Sequence, residues 1–137
     1  MTLVGAAAKL FRLDSSSGVP FYRQIIDQVL LAVADGRLSP GAQLPTVRQL
    51  AVDLSVNLNT VAKAYREMEI RGIVDTQQGT GTFISHQKLK IDELERERRL
   101  QQIVSEFVAR AGASGFTVDD LLDTLRDRHN GSEKKRK

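Results

Sequence analysis

Asn57, Asn59, Thr60, Lys63 and Arg66 fall within ten residues of one another and bring together two amides, a hydroxyl and two cations. These are the groups that address a nucleic acid. An asparagine amide pairs with adenine N6 and N7, and a threonine contacts a phosphate, a base edge or a thymine methyl. Lysine and arginine neutralise phosphates or reach guanine. Their spacing suits such work. In "VNLNTVAKAYREMEIRG", Val56 to Gly72, the apolar residues Val61, Ala64, Tyr65 and Met68 form one helical stripe. Asn59, Lys63 and Arg66 fall on the opposite side. Asn57 is a good N-cap, and the amides sit at the end that a recognition helix uses for bases. The competing reading is a solvated helix face, with Asn57 a plain cap. It suffices for Lys63 and Arg66 taken alone. It accounts less well for Asn59 and Thr60, which are poor interior helix formers.

The elements needed to position that helix can be read around it. Residues 10–14, "LFRLD", predict a short strand, and "SSSG" a loop. Pro20 suits the first turn of a helix whose stripe is Tyr22, Ile25, Ile26, Val29 and Val33, ending at Gly36. "LSPGAQLP" predicts a loop. Thr46 opens a second helix, and Gln49 three residues on gives "TVRQ" the form of a capping box. That helix has about eight residues before "SVN" breaks it, too few to stand alone in water. After Gly72, "IVDTQQGTGTFI" alternates around Gly79-Thr80-Gly81 and predicts a β-hairpin. Three helices and a hairpin, two of the helices joined by a three-residue turn, make a winged helix-turn-helix over residues 10–85.

Two further residue groups belong to the same chemistry. Arg48 lies in the first turn of its helix, where the macrodipole disfavours a cation; a phosphate docked there would reverse the penalty. A salt bridge to Asp53 is the alternative. Gly79 and Gly81 allow the close backbone approach of a wing tip, and a plain tight turn needs them equally.

Other chemistries find little support. The chain of 137 residues has no cysteine, so disulfides, thiolate catalysis and thiolate metal sites are excluded. His86 and His129 lie far apart, outside recognised metal spacings, and no nucleophile–base pair stands out. Asp119/Asp120 and Glu67/Glu69 read as helix-start and solvated-face charges. An enzyme, a cofactor and a metal are not expected. The apolar runs fall short of the roughly 18–20 residues of a membrane span, and "MTLVGAAAKLFRLD" lacks the basic start of a signal peptide. The expected location is cytoplasmic, with no membrane partner. The net charge of +3 is only mildly basic. Residues 1–85 carry 8 Lys+Arg against 7 Asp+Glu, and residues 86–137 carry 12 against 10. A basic footprint must therefore come from where charges point rather than from their number.

The stretch "LPTVRQLAVDLSVNLNTVAKAYREMEIRGIVDTQQGTGTFI", Leu44 to Ile84, is similar to the GntR family of bacterial transcription regulators. "VNLNTVAKAYREME" resembles its YtrA-type branch, and "GVPFYRQI" and "GRLSPGAQLPT" match upstream. The resemblance covers about residues 10–85. It implies DNA contacts from Arg48, from Asn57, Leu58, Asn59 and Thr60 at the helix start, and from the wing at Gly79. Departures are visible. Leu58 and Ala62 stand where better-studied branches carry arginines, and Ser55 where glycine is usual in the turn. Gln77, Gln78 and Thr80 occupy wing positions that are often basic. Fewer phosphate contacts predict a shallower salt dependence.

Beyond the wing, "IDELERERRL" predicts a solvated, salt-bridged helix. An apolar stripe follows at Leu100, Ile103, Val104, Phe107, Val108 and Ala111, then a break at "GASGF". Thr117 caps a last helix bearing Val118, Leu121, Leu122 and Leu125. This two-helix unit, residues 86–130, is too small to enclose a ligand pocket within one chain. It can bury its stripe against a second copy, making four helices. The expected interface is Leu100, Ile103, Val104, Phe107, Val108, Leu121, Leu122 and Leu125, unless the hairpin folds back on its own winged helix. Residues 131–137 predict a disordered basic tail. The fold class is mainly α with a small β-hairpin. The expected function is a sequence-specific regulator, a repressor, binding a double-stranded palindromic operator as a homodimer through helix 57–71 and wing 73–84. The alternatives are a winged-helix protein-docking module and an RNA-binding one. A small-molecule effector of unspecified identity remains open.

Overall fold

The computed structural model describes residues 10–86 and 92–136, with side chains through residue 131. The chain divides into two units, residues 1–87 and 88–137. In the first, α1 (Phe21–Ala34) is followed by β1 (Gln43–Leu44), α2 (Val47–Leu54), α3 (Leu58–Ile70), β2 (Val74–Gln77) and β3 (Gly81–Ile84). The winged helix-turn-helix is thus present, with a short strand, β1, in a stretch expected to be loop. β1 pairs antiparallel with β3, matching Gln43 to Phe83 and Leu44 to Thr82. β3 is central, since β2 pairs on its other edge from Val74–Ile84 to Gln77–Gly81.

The core forms where the apolar stripes meet. α1 contributes Ile25, Ile26 and Val29, α2 Leu50 and Ala51, α3 Val61, Ala64, Tyr65 and Met68, and the sheet Leu44, Val74 and Ile84, all buried. Each large aliphatic side chain so buried contributes about 1.5–3 kcal/mol. That contact is what holds the eight-residue α2, together with its start. The Thr46 hydroxyl accepts from Gln49 N–H and the Gln49 side-chain Oε1 from Thr46 N–H, each at 3.1 Å, completing the capping box. Tyr65 of α3 reaches back across the turn and donates from its hydroxyl to the Pro45 carbonyl at 2.6 Å. Burial holds that phenol protonated, well above the usual tyrosine range.

Residues 11–14 do not form the expected strand. Their backbone is satisfied by side chains of α1 instead. Arg12 N–H donates to Gln28 Oε1, and Gln28 Nε2 donates back to the Arg12 carbonyl, both at 2.8 Å. Buried Gln24 does the same for Asp14, at 2.8 and 2.9 Å, and also reaches Ser17 and Val19. Two carboxamides stand in for a neighbouring strand, and Phe11 is buried beside them.

The turn between α2 and α3 holds a strained residue. Ser55 has φ +55° and ψ +44°, the left-handed conformation, and is the only described non-glycine with positive φ. That conformation costs a residue with a Cβ about 1–2 kcal/mol. Glycine recovers part of this and loses part to its freer unfolded chain. Ser55→Gly is therefore expected to stabilise the first unit by about 0.5–1 kcal/mol, read as a higher denaturant midpoint with unchanged slope.

The second unit holds two helices, α4 (Glu93–Ala113) and α5 (Val118–Arg136). Thr117 and Asp120 cap α5 reciprocally, Asp120 N–H donating to the Thr117 hydroxyl and Thr117 N–H to the Asp120 carboxylate. Those bonds hold the Asp120 carboxyl below its usual range. α5 runs through Asn130 and Gly131 to Arg136, so the tail expected to be disordered over 131–137 is helical in its backbone through 136. A glycine weakens a helix by about 1 kcal/mol without ending it, and no proline follows. Lys137 lies outside the described residues. No described residue of this unit is buried.

Candidate nucleic-acid interface

Helix α3 is fixed by its front end and its apolar side. Asn57 caps it, its Oδ1 accepting from Asn59 N–H at 2.7 Å. With Val61, Ala64, Tyr65 and Met68 buried, Asn59, Lys63 and Arg66 are left exposed. The Asn59 amide makes no hydrogen bond to a described residue. The helix start also exposes Leu58, at 41%, while Thr60 and Ala62 are half-buried. Ile70, 74% exposed, continues the polar side at its far end.

Lys63 has a partner that the helix sequence alone could not show. Its ammonium stands 4.1 Å from the centre of the Tyr22 ring, on α1. A cation over an exposed aromatic face gains about 0.5–1 kcal/mol. The charge is therefore held toward α1, whereas Arg66 pairs with no described residue.

Arg48 is exposed in the first turn of α2, and no acidic residue occupies that turn. Among the described residues it forms no ion pair, so the alternative bridge to Asp53 is not made. One carboxylate oxygen of Asp53 is instead buried without a hydrogen-bond partner. The wing turn spans Gln78–Thr80, with Gly79 at φ +80° and open space where its Cβ would stand. Thr80 is exposed, but its N–H is already given to the Gln77 carbonyl at 2.9 Å.

Two features were missed in the sequence. Gln43 donates from Nε2 to the Thr80 carbonyl at 3.2 Å, tying the wing turn to β1. At the wing base, Thr76 Oγ1 lies 3.4 Å from Glu69 Oε2 and 3.5 Å from Thr82 Oγ1, linking β2 to α3 and β3. Gln43 sits in a stretch that reads as loop, and its partner is a main-chain atom 37 residues away. No sequence signal marks such a bond.

Residues 21–84 match the family described as bacterial regulatory proteins, gntR family. The HTH-type transcriptional regulator YhcF of Bacillus subtilis is 36% identical, over 80% of this chain and 90% of its own. The chain belongs to the GntR family of bacterial regulatory proteins. The transcriptional repressor YtrA of Bacillus subtilis is 31% identical over 86% of this chain and 91% of its own. Among solved structures, YtrA from Sulfolobus acidocaldarius, a GntR-family transcription factor, superposes with a TM-score of 0.57 at 31% identity. That likeness covers 73% of this chain and 98% of the other. Within the GntR family this chain is thus YtrA-like, a DNA-binding transcription regulator with a winged helix. These relatives are transcription regulators. No described helix is long and apolar enough to cross a membrane.

Proposed function

We propose that the protein is a repressor that binds a palindromic operator as a homodimer, with α3 in the major groove. The observation that carries this reading is the strip Asn59–Lys63–Arg66, exposed along a helix whose reverse side is buried. Asn59 is free to bond adenine through both ends of its amide. Leu58 offers an apolar surface to a thymine methyl. Asn57 has committed its oxygen to the cap and keeps only its amide N–H groups for DNA. Thr60 contacts a phosphate or a methyl. Lys63, held toward α1, and Arg48, at a helix N-terminus, take backbone phosphates. Arg66 lies two turns in, and Gly79 and Thr80 approach the backbone beside the groove.

The second half of the reading is the dimer. Two helices with no buried side chain among their described residues have no core of their own, and two such pairs make a four-helix core. Val108, Ala111 and Leu121 are already half-buried. Leu100, Ile103, Val104, Phe107, Leu122 and Leu125 remain exposed for a second copy. Twofold symmetry then places two α3 helices about one helical turn of DNA apart, or a multiple of it. A small-molecule effector, if one acts, would bind between subunits rather than within a chain.

The test is selection of duplexes from a randomised pool by the full chain, followed by a salt titration. Inverted half-sites and a falling affinity with salt are expected. Arg48→Ala and Lys63→Ala should each weaken all duplexes alike and lower the salt slope by about 1. No enrichment of any duplex, with tight capture of a protein or an RNA hairpin, would replace operator binding with a docking or RNA-binding role.

A further inference from the structure

The wing of this protein has an unusual difficulty. Residues 73–84 contain no lysine or arginine, and their one charge is Asp75. A basic wing is drawn to phosphates over several ångströms, and its exact attitude matters little. A neutral wing can contribute only hydrogen bonds and van der Waals contact, which weaken over about an ångström. Such a wing must be held in place before the duplex arrives.

Gln43 supplies the hold. It lies on β1, opposite Phe83 of β3, and its carboxamide crosses to the far end of the hairpin. There Nε2 donates to the Thr80 carbonyl at 3.2 Å. Close packing against Gly81 marks the same contact. A Cβ on Gly81 would stand 2.6 Å from Gln43 Nε2 and 3.7 Å from the Phe83 ring, at a φ of +139° that other residues rarely adopt. The bare backbone at residue 81 is the floor on which the Gln43 amide lies. Gln43, Thr80 and the turn between are all exposed, so this is a tether on a surface loop rather than part of the core. The base of the wing has its own fastening through Glu69, Thr76 and Thr82.

We propose that Gln43 is a positioning residue for the wing, its amide holding the Gln78–Thr80 turn in the attitude from which it meets the sugar-phosphate backbone. This rests on the operator-binding role proposed above. Gln43 touches no base; it acts through the Thr80 carbonyl.

Gln43→Met keeps the length and removes the donor without adding charge. The probe is a duplex selected from a randomised pool by the wild-type full chain. Affinity is expected to fall about three- to tenfold, the scale of one hydrogen bond. The salt slope should stay unchanged, because no phosphate-pairing cation is lost. Hydroxyl-radical protection flanking each half-site should disappear, while protection over the α3 contacts remains. The melting temperature should match the wild type. Wild-type affinity with intact flank protection would overturn the role. So would an affinity loss accompanied by a lower melting temperature and uniformly weaker protection, which marks a fold defect. A wild-type complex that binds its duplex without flank protection also overturns it, and leaves operator recognition by α3 standing.

Discussion

Phe107→Glu is expected to sediment as a monomer and to bind its operator at least about 100-fold more weakly than the wild type. Phe107 is 45% exposed on α4, flanked by Leu100 at 54% and Ile103 at 62%, with Leu125 at 50% on α5. Covering a phenylalanine contributes about 1.5–3 kcal/mol. A carboxylate in its place adds a desolvation cost of several kcal/mol. A twofold interface incurs both twice. Two linked winged helices bind a paired site with avidity that single ones lack, commonly by 10²–10⁴. Separate chains should therefore keep their weak half-site affinity and lose the rest. The side chain is not buried within its own chain, so helix content by circular dichroism should hold. Sedimentation as a dimer after this substitution would refute the α4–α5 interface.

Asn59→Ala is expected to weaken specific binding by about 1–3 kcal/mol, while binding to unrelated duplex changes little. The loss should concentrate at one base pair per half-site, so that variants at that pair become nearly equivalent for the mutant. Helix α3 should tolerate the change. Asn59 contributes its main-chain N–H to the Asn57 cap, and alanine retains that N–H and is the better helix former. Stability is thus expected to stay level or rise slightly while discrimination falls. Equal affinity of mutant and wild type for the selected operator would remove Asn59 from the reading surface.

Much of this was legible in the residues themselves. The Thr46–Gln49 capping box, the Asn57 cap, the three-residue turn and the glycine-bounded hairpin each depend on local chemistry, and each stands where its sequence places it. The misses share a cause. Residues 11–14 look like a strand by pattern, but distant Gln24 and Gln28 take their hydrogen bonds. Strand β1 is two residues long in a Pro- and Gly-rich stretch and exists only because β3 passes alongside. Lys63 belongs to the exposed strip by periodicity, yet Tyr22, 41 positions earlier, sets where its charge rests. Gln43 carries no local signal at all. Side-chain type revealed what the site could contact. Tertiary neighbours decide how each group is aimed, and those neighbours lie beyond the reach of helical or strand spacing.

The hydroxyl of Tyr65 joins α3 to the Pro45 carbonyl just ahead of α2, and this has a kinetic consequence. α2 is too short to persist once that brace opens. Leu50 of α2 and Val61 of α3 are both fully buried in the same core cluster as Tyr65. Amide protons of the two helices should accordingly exchange with deuterium as one cooperative block, at a shared rate, ahead of global unfolding. The reader of the groove and its scaffold would melt together, leaving no intermediate in which one is ordered and the other is not.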